Sequence, residues 1–117
     1  MPDFATVRST TEQYTVVAPD ADPGWAVDAG YRPDPRRTRT LLTGPRPVLV
    51  RCEPPAGAAH PDGDVDLADS LAVIAVYAWL GVRVFATRHP RSARQVLDMV
   101  ASIRGDRPPA TARRGLA

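Results

Sequence analysis

The pattern of hydrophobic and polar positions is clearest over Asp66–Val100, where it predicts a helix, a glycine turn, a short strand and a second helix. No charged residue occurs in Ser70–Val82, so the first of these helices is expected to be covered on nearly all sides. Gly81 suits the residue after a helix end, because a left-handed backbone costs glycine nothing. The β-branched and aromatic residues of Val82–Thr87 are typical of a strand that is buried on both faces.

A second helix is predicted after His89-Pro90, because proline interrupts the strand and is well placed in the first turn of a helix. Its apolar residues share one face and its arginines lie largely elsewhere, as in a helix that packs on a core. The apolar face comprises Ala93, Val96, Leu97, Val100 and Ile103. Gly105 is expected to end this helix, and residues 105–117 are expected to form a disordered basic tail.

The clearest strand of the first half is Pro45–Cys52, with Val48–Val50 as its buried centre. Asp64 or Asp66 is then expected to cap the central helix. The order from Pro45 onward is strand, helix, strand, helix. This order predicts two adjacent parallel strands that are joined by a helical crossover.

Residues 1–44 show weaker patterns. Ala5–Ser9 and Gln13–Ala18 are rich in residues that favour strands, and either a hairpin or one longer strand would fit them. A short helix is expected at Pro23–Ala29, and Tyr31–Thr40 is expected to be a solvated linker. The sequence therefore predicts one α/β domain over residues 1–104, in which a βαβα unit and extra N-terminal strands form a small parallel or mixed sheet.

The composition excludes several kinds of chemistry. The 117 residues carry a formal charge of +2 and include no lysine or asparagine, so neither a Schiff-base lysine nor a phosphate-loop lysine can exist. The single cysteine, Cys52, excludes an intramolecular disulfide and a multi-cysteine zinc site. The N-terminus lacks the pattern of a signal peptide and no uncharged run is long enough to span a bilayer, so a cytoplasmic protein without membrane contact is expected.

Three motifs in the second half of the chain occur together. They are the strand P-R-P-V-L-V at Pro45–Val50, the helix, glycine turn and strand at Asp66–Val84, and the helix S-A-R-Q-V-L-D-M-V at Ser92–Val100. In this order they resemble the last quarter of dihydropteroate synthase, the pterin-binding (β/α)8-barrel family, over Leu42–Ile103. The resemblance implies a fold like the last two strand–helix units of that barrel and a link to folate biosynthesis.

The chain departs from that family at the positions that carry its chemistry. The family's seventh strand ends in Ser-Arg-Lys, whose lysine contacts the pterin, but Glu53–Pro55 stands there in this chain. The eighth strand ends in Arg-Val-His, which binds pyrophosphate, whereas Ala86–Arg88 followed by His89 stands here. The resemblance thus implies a protein without synthase activity and with an accessory, structural or partner-binding role. A small oligomeric protein or enzyme that binds a pterin or a phosphate is the alternative.

Arg88, His89 and Arg91 are the candidate ligand-binding residues. They lie where the last predicted strand ends and the last helix begins, a place where free N–H groups favour an anion. Arg83 and Arg94 could extend this pocket. No catalytic residue and no metal ligand is assigned, and no cofactor is predicted.

Two further site hypotheses are less favoured. Cys52 and His60 could form a thiolate–imidazole pair, but a cysteine at a strand end is more often a small buried apolar residue. His60 and His89 could bind a metal ion, although no metal-binding spacing supports them. The aspartates considered with them are Asp62, Asp64 and Asp66.

Association with another chain is expected, because two parallel strands with two helices leave sheet edges and an apolar face uncovered. The partner could be a second copy or a different protein, and an exposed Trp79 would mark the contact surface. A nucleic-acid partner is the least favoured alternative, since the net charge is small and no second aromatic residue accompanies Tyr31. It would use the basic tail and Arg36, Arg37 and Arg39.

Overall fold

A computed structural model describes residues 13–55 and 62–105, which contain four strands and three helices. The strands are β1 (Thr15–Val17), β2 (Val27–Tyr31), β3 (Val48–Arg51) and β4 (Val84–Ala86). The helices are α1 (Pro35–Leu42), α2 (Gly63–Leu80) and α3 (Pro90–Arg104). The predicted strand at Ala5–Ser9, the residue His60 and the predicted tail from 106 onward lie outside the described residues.

All four strands are parallel, and their order across the sheet is β1-β4-β3-β2. Val84 of β4 pairs with Thr15 of β1 on one side and with Leu49 of β3 on the other. The neighbours β2, β3 and β4 are therefore consecutive along the chain, whereas β1 joins the sheet beside β4. This arrangement confirms the predicted α/β class, the βαβα unit and an additional N-terminal strand within Gln13–Ala18.

The helices cover one face of the sheet. Alternate residues of a strand point to opposite faces, so Val48 and Val50 belong to the core beneath the helices while Leu49 points to the other side. In the larger core, Phe85 of β4 and Leu97 of α3 are both fully buried. Removing such large apolar side chains from water is the main force that fixes the helices on the sheet.

The segment that joins β1 to β2 crosses the opposite face, because these two strands form the two edges of the sheet. Arg51, at the end of β3, holds this segment by donating from Nη1 to the carbonyl oxygen of Pro19 and from Nη2 to that of Ala21, both at 2.9 Å. The same guanidinium forms an ion pair with Asp28 of β2 at 2.9 Å. Leu49 on this face is fully buried, although none of the helices within residues 13–55 and 62–105 packs there.

The prediction of a short helix at Pro23–Ala29 is wrong, because Val27–Tyr31 forms the edge strand β2. The N–H of Val27 donates to the carbonyl oxygen of Pro47 at 2.8 Å, at the point where the parallel pairing with β3 begins. Gly30 has a φ of +87° and lies at an irregularity in that pairing. Pairing with a strand that is distant in sequence therefore outweighs the local proline and glycine signals.

The prediction of a linker at Tyr31–Thr40 is also wrong, since α1 begins inside this segment. Asp34 caps the helix by accepting a hydrogen bond from the N–H of Arg36 at 3.0 Å, and proline follows the cap. Thr38 is fully buried, and its hydroxyl donates to the carbonyl oxygen of Asp34 at 2.9 Å. In contrast to Thr38, the side chains that face solvent on α1 include Arg36, Arg37 and Arg39.

The central helix, α2, begins earlier than predicted. Its cap is Asp62 rather than Asp64 or Asp66, and Oδ1 of Asp62 accepts a hydrogen bond from the N–H of Asp64 at 2.9 Å. Asp66 lies inside the first turns of the helix and is buried. As predicted, Gly81 ends α2 with a φ of +117° and Gly105 ends α3 with a φ of +83°.

The prediction that α2 is covered on nearly all sides is wrong. Val73 and Ile74 are buried, but Val76 and Trp79 keep 55% and 54% of their surface exposed. The helix therefore has two apolar faces, and the sheet covers one of them. No helix within residues 13–55 and 62–105 is long and apolar enough to cross a membrane.

Candidate functional site

Polar side chains converge where β3 and β4 end. Glu53 follows β3, the segment Thr87–His89 follows β4, and Asp66 comes from the first turns of α2. They meet because the carboxyl ends of neighbouring parallel strands lie at one edge of a sheet, the edge at which α/β folds bind ligands. We call this group the strand-end cluster; its members are Glu53, Asp66, Thr87, Arg88 and His89.

Asp66 is the centre of the strand-end cluster and is only 5% exposed. Its Oδ2 accepts a hydrogen bond from Nε of Arg88 at 2.9 Å, and its Oδ1 accepts another from Nη2. Nε2 of His89 lies 3.0 Å from the same Oδ2. The bonds from Arg88, and then that from His89, hold the pKa of Asp66 below its usual range, while the carboxylate raises the pKa of Arg88. Asp66 and Arg88 are therefore an ionised pair at neutral pH.

Glu53 is the second buried carboxylate of the cluster, at 7% exposure. Its Oε2 accepts a hydrogen bond from the hydroxyl of Thr87 at 2.6 Å, and its Oε1 accepts one from the backbone N–H of Arg88 at 3.0 Å. The hydroxyl oxygen of Thr87 also accepts a hydrogen bond from the N–H of His89 at 3.1 Å. These bonds link the end of β3 to the end of β4 and fix the backbone that carries Arg88 and His89.

Two open clefts flank the cluster. The first has a volume of about 360 Å³. It is lined by Pro19, Asp20, Arg51, Glu53, Pro54, Pro55, Ala86 and Arg88. The second, of about 290 Å³, is lined by Tyr31, Arg32, Cys52, Pro54, Asp66, Asp69 and Ser70. Arg88 thus faces the first cleft and Asp66 the second, so their ion pair forms part of the wall between them.

The structure brings two of the three candidate ligand-binding residues together. Arg88 and His89 both contact Asp66, and the Arg88 side chain keeps 40% of its surface exposed. Arg91 is exposed in the first turn of α3, as is Arg94 one turn later. Arg83 precedes β4 and therefore lies at the amino end of that strand, away from the strand-end cluster. Its Nη1 donates there to Oε1 of Gln13 at 2.9 Å. Arg83 therefore does not extend the predicted pocket.

Cys52 lies beside the cluster, but its environment opposes reactivity. It is 1% exposed, and burial, followed by the negative charge of Glu53, raises the pKa of the thiol. Its proposed partner His60 lies outside the described residues. No group of three or more histidine, cysteine, aspartate or glutamate side chains suited to a metal ion occurs in the part of the chain that the structure describes.

Sequence reasoning missed the roles of Asp66 and Glu53. The sequence indicates Asp66 as a helix cap or a metal ligand, and Glu53 only as part of the segment that replaces the family's Ser-Arg-Lys. One signal was available for Glu53, since a charged residue directly after a buried strand is the usual position of a site residue in parallel folds. No comparable signal marks Asp66, whose contacts with Arg88 and His89 depend on how α2 sits against β4.

No family model matches the chain. A Mycobacterium leprae protein named inactive dihydropteroate synthase 2 is 49% identical over 51 residues, which are 44% of this chain and 18% of that protein. Over this stretch the chain is dihydropteroate-synthase-like. The Mycobacterium tuberculosis protein of the same name is 47% identical over 51 residues, which are 44% of this chain and 16% of that protein. The predicted resemblance to dihydropteroate synthase is thereby confirmed.

The dihydropteroate-synthase-like chain matches less than a fifth of the length of these relatives. Among solved structures, that of Mycobacterium tuberculosis Rv1207 aligns with a TM-score of 0.47 and 33% identity. The alignment covers 64% of this chain and 28% of the other.

Proposed function

We propose that this dihydropteroate-synthase-like chain has no synthase activity and serves an accessory, partner-binding role connected with pterin and folate metabolism in the cytoplasm. One observation carries the proposal: the carboxylate of Asp66 contacts the side chains of both Arg88 and His89. Arg88 and His89 form the displaced pair that the resemblance relates, out of register, to the family's pyrophosphate-binding strand end. Nε and Nη2 of Arg88 and Nε2 of His89 are engaged by this carboxylate of the same chain, which leaves fewer donors for a ligand.

The charge balance of the strand-end cluster supports the same conclusion. Glu53 stands in the segment that aligns with the family's lysine-bearing strand end, and the chain contains no lysine or asparagine. A reaction that releases pyrophosphate requires fixed positive charge or hydrogen-bond donors where negative charge develops. Here Asp66 pairs with the guanidinium of Arg88, and the carboxylate of Glu53 accepts a hydrogen bond from the backbone N–H of the same residue. Two carboxylates therefore accompany one guanidinium, and the site offers little net positive charge for that purpose.

The synthase reaction tests this proposal directly. The purified chain is incubated with the pterin pyrophosphate and p-aminobenzoate, with a full-length dihydropteroate synthase as the positive control. We expect no product from the chain alone. We also expect the chain to change the rate of the active synthase when the two are mixed, or to retain the synthase in a pull-down. Turnover by the chain alone would overturn the first half of the proposal, and the absence of any effect on the synthase would overturn a role as its partner.

The cleft of about 360 Å³ beside Arg88 favours a second candidate function, the binding of a pterin or a phosphate without turnover. The Arg88 side chain lines this cleft and keeps 40% of its surface exposed, and Arg91 is exposed in the first turn of α3. Thermal unfolding with the pterin pyrophosphate, and with plain pyrophosphate as the control, tests this candidate. A ligand at one hundred times its dissociation constant adds about 2.7 kcal/mol and raises the midpoint by several degrees. No shift with either compound would remove this candidate.

A further inference from the structure

The structure gives the basic segment after β2 a fixed shape. Five arginines and one acidic residue occur in Arg32–Arg46. In a solvated linker these charges would have no defined arrangement, but 8 residues of the segment form α1 (Pro35–Leu42). The helix therefore brings three neighbouring arginines onto one surface, which we call the basic helix face: Arg36, Arg37 and Arg39.

The basic helix face points directly away from the core. Thr38 is fully buried and marks the inner side of α1, whereas the three arginines are exposed. At about 100° of rotation per residue, Arg37 and Arg39 lie about 160° apart, and Arg36 lies between them. The centre of the three is opposite Thr38. Their guanidinium groups therefore project to both sides of the helix as well as straight outward.

The charges of the basic helix face are not neutralised within the part of the chain that the structure describes. None of its guanidinium groups forms an ion pair, a hydrogen bond or a ring contact with residues 13–55 or 62–105. In contrast, Arg51 and Arg88 each pair with an aspartate. Asp34, the acidic residue of the segment, accepts the capping hydrogen bond from the backbone N–H of Arg36. The three guanidinium groups are thus available to an anionic partner.

The position of α1 allows a large partner to approach. The helix joins β2, which is an edge strand, to β3, so it lies at one end of the helix layer. An α-helix is about 10–12 Å across, and the major groove of B-DNA is about 12 Å wide. In that groove, Arg37 and Arg39 would face the phosphates of the two opposite walls. The major groove of duplex RNA is too narrow for this arrangement.

The surroundings of α1 favour phosphates of a duplex over other anions. Arginine suits phosphate because its planar guanidinium donates two parallel hydrogen bonds. Unpaired bases need aromatic platforms, but Tyr31 is the only aromatic residue of Ala26–Val76, and Arg32 lies over its ring at 5.2 Å from the centroid. An acidic peptide would present its carboxylates from one side, whereas a duplex groove has phosphates on both.

We propose that α1 binds double-stranded DNA, with the basic helix face against the phosphates that border the major groove. Contacts to phosphates carry no base information, so the binding is independent of base sequence. The inference does not rest on the proposed function, because no residue of the strand-end cluster takes part. Neutralised phosphates release condensed counterions, so three contacts contribute about −2.7 to the slope of log K against log salt. A tenfold rise in salt should weaken this contribution about 500-fold.

Fluorescence anisotropy of a labelled duplex of about 20 base pairs, in about 20 to 200 mM NaCl, measures this slope. The triple variant Arg36→Gln/Arg37→Gln/Arg39→Gln should reduce its magnitude by about 2.7, and each single variant by about 0.9. Glutamine is close to arginine in helix propensity, and far-UV circular dichroism checks the fold. Arg94→Gln removes an equally exposed charge from α3 and should keep the wild-type slope. The rest of the sequence is constant, so the differences report the basic helix face alone.

A wild type that does not bind the duplex at about 20 mM NaCl overturns the proposal, and so do arginine variants of α1 that keep the wild-type slope. Two competitors test the kind of partner. Polyglutamate at the same concentration of charge should displace the labelled duplex less well than unlabelled DNA does, and equal displacement would assign the surface to acidic proteins instead. An RNA duplex of the same length should compete less well than DNA. Equal competition by RNA would exclude the major groove as the binding site.

Discussion

The guanidinium of Arg88 contacts both carboxylate oxygens of Asp66, which joins the end of β4 to the first turns of α2. Asp66 is buried, whereas the Arg88 side chain keeps 40% of its surface in solvent. In this pair the carboxylate is therefore largely shielded from solvent, whereas the arginine side chain remains partly solvated. It connects the sheet to a helix and at the same time engages the cation that a ligand at this edge would need.

Asp66→Asn should destabilise the protein by about 1–3 kcal/mol, because a neutral amide cannot accept both bonds and leaves Arg88 without its counter-charge. The cost stays below that of a fully buried pair, since Arg88 can turn toward water. Urea unfolding at neutral pH measures the change. Asp69→Asn, at a half-buried position further along the same helix, is the control and should stay within about 0.5 kcal/mol. Equal effects of the two substitutions would contradict the assigned role of Asp66.

The same carboxylate makes stability depend on acid pH. The pKa of Asp66 is lowered in the folded protein by Arg88 and His89, whereas an unfolded aspartate has a pKa of about 3.9. The stabilisation is therefore fully present above the unfolded pKa and is lost as the pH falls toward the folded value. The difference in unfolding free energy between the wild type and Asp66→Asn should be constant above about pH 5 and shrink below about pH 4. A difference that does not change with pH would show that the ion pair is not its source.

Cys52 should react slowly with a thiol reagent in the native protein. It is 1% exposed, and burial beside Glu53 raises the pKa of its thiol, so little thiolate is available at pH 8. Labelling should therefore proceed only through opening of the fold, and it should become fast in denaturant. Rapid labelling without denaturant would instead revive the hypothesis of a reactive cysteine.

The strongest local patterns predicted the fold best. The run from α2 through Gly81 and β4 to α3 was predictable because helix period, glycine position and the apolar strand agree with one another. β2 and α1 were not predictable in this way. Val27 is held by pairing with β3, and the buried Thr38 by its bond to Asp34, so neither element depends on a long periodic pattern of its own.

The candidate site was predictable only in part. The sequence places Arg88 and His89 after a strand, and the position alone indicates a site. It does not reveal that Asp66 lies opposite them, because Asp66 belongs to a different element and the contact depends on how α2 packs. The predicted anion site at Arg88, His89 and Arg91 stays a prediction, and a ligand would have to compete with Asp66 for the donors of Arg88.

Gly81→Ala should destabilise the protein by about 1–2 kcal/mol, because residue 81 has a φ of +117° and a Cβ atom strains that conformation. Space is not the cause, since the added atom would meet the Leu42 side chain at an ordinary 3.5 Å. Gly63→Ala is the matched control at the other end of α2, where nothing lies within 4 Å. It should stabilise by about 0.4–1 kcal/mol by restricting the unfolded chain. Thermal unfolding of both variants should therefore give shifts of opposite sign.

Arg51 should contribute to stability by holding the segment that crosses the sheet face opposite α1, α2 and α3. Arg51→Met removes its bonds to Asp28 and to the carbonyl oxygens of Pro19 and Ala21, and we expect a cost of about 1–3 kcal/mol. Arg51→Lys should recover less than half of this, because one ammonium group cannot reach three acceptors in the arrangement that the planar guanidinium allows. Arg94→Met, at an exposed position of α3, should change stability by less than about 0.5 kcal/mol.

Limited proteolysis separates a local role of Arg51 from a global one. If Arg51 holds the crossing segment, residues 18–26 should be cleaved faster in Arg51→Met than in the wild type under conditions where both are folded. Cleavage should remain unchanged in Arg94→Met. An Arg51→Met variant that loses stability without faster cleavage in this segment would mean that the ion pair with Asp28 on β2, and not the hold on the crossing segment, accounts for the contribution of Arg51.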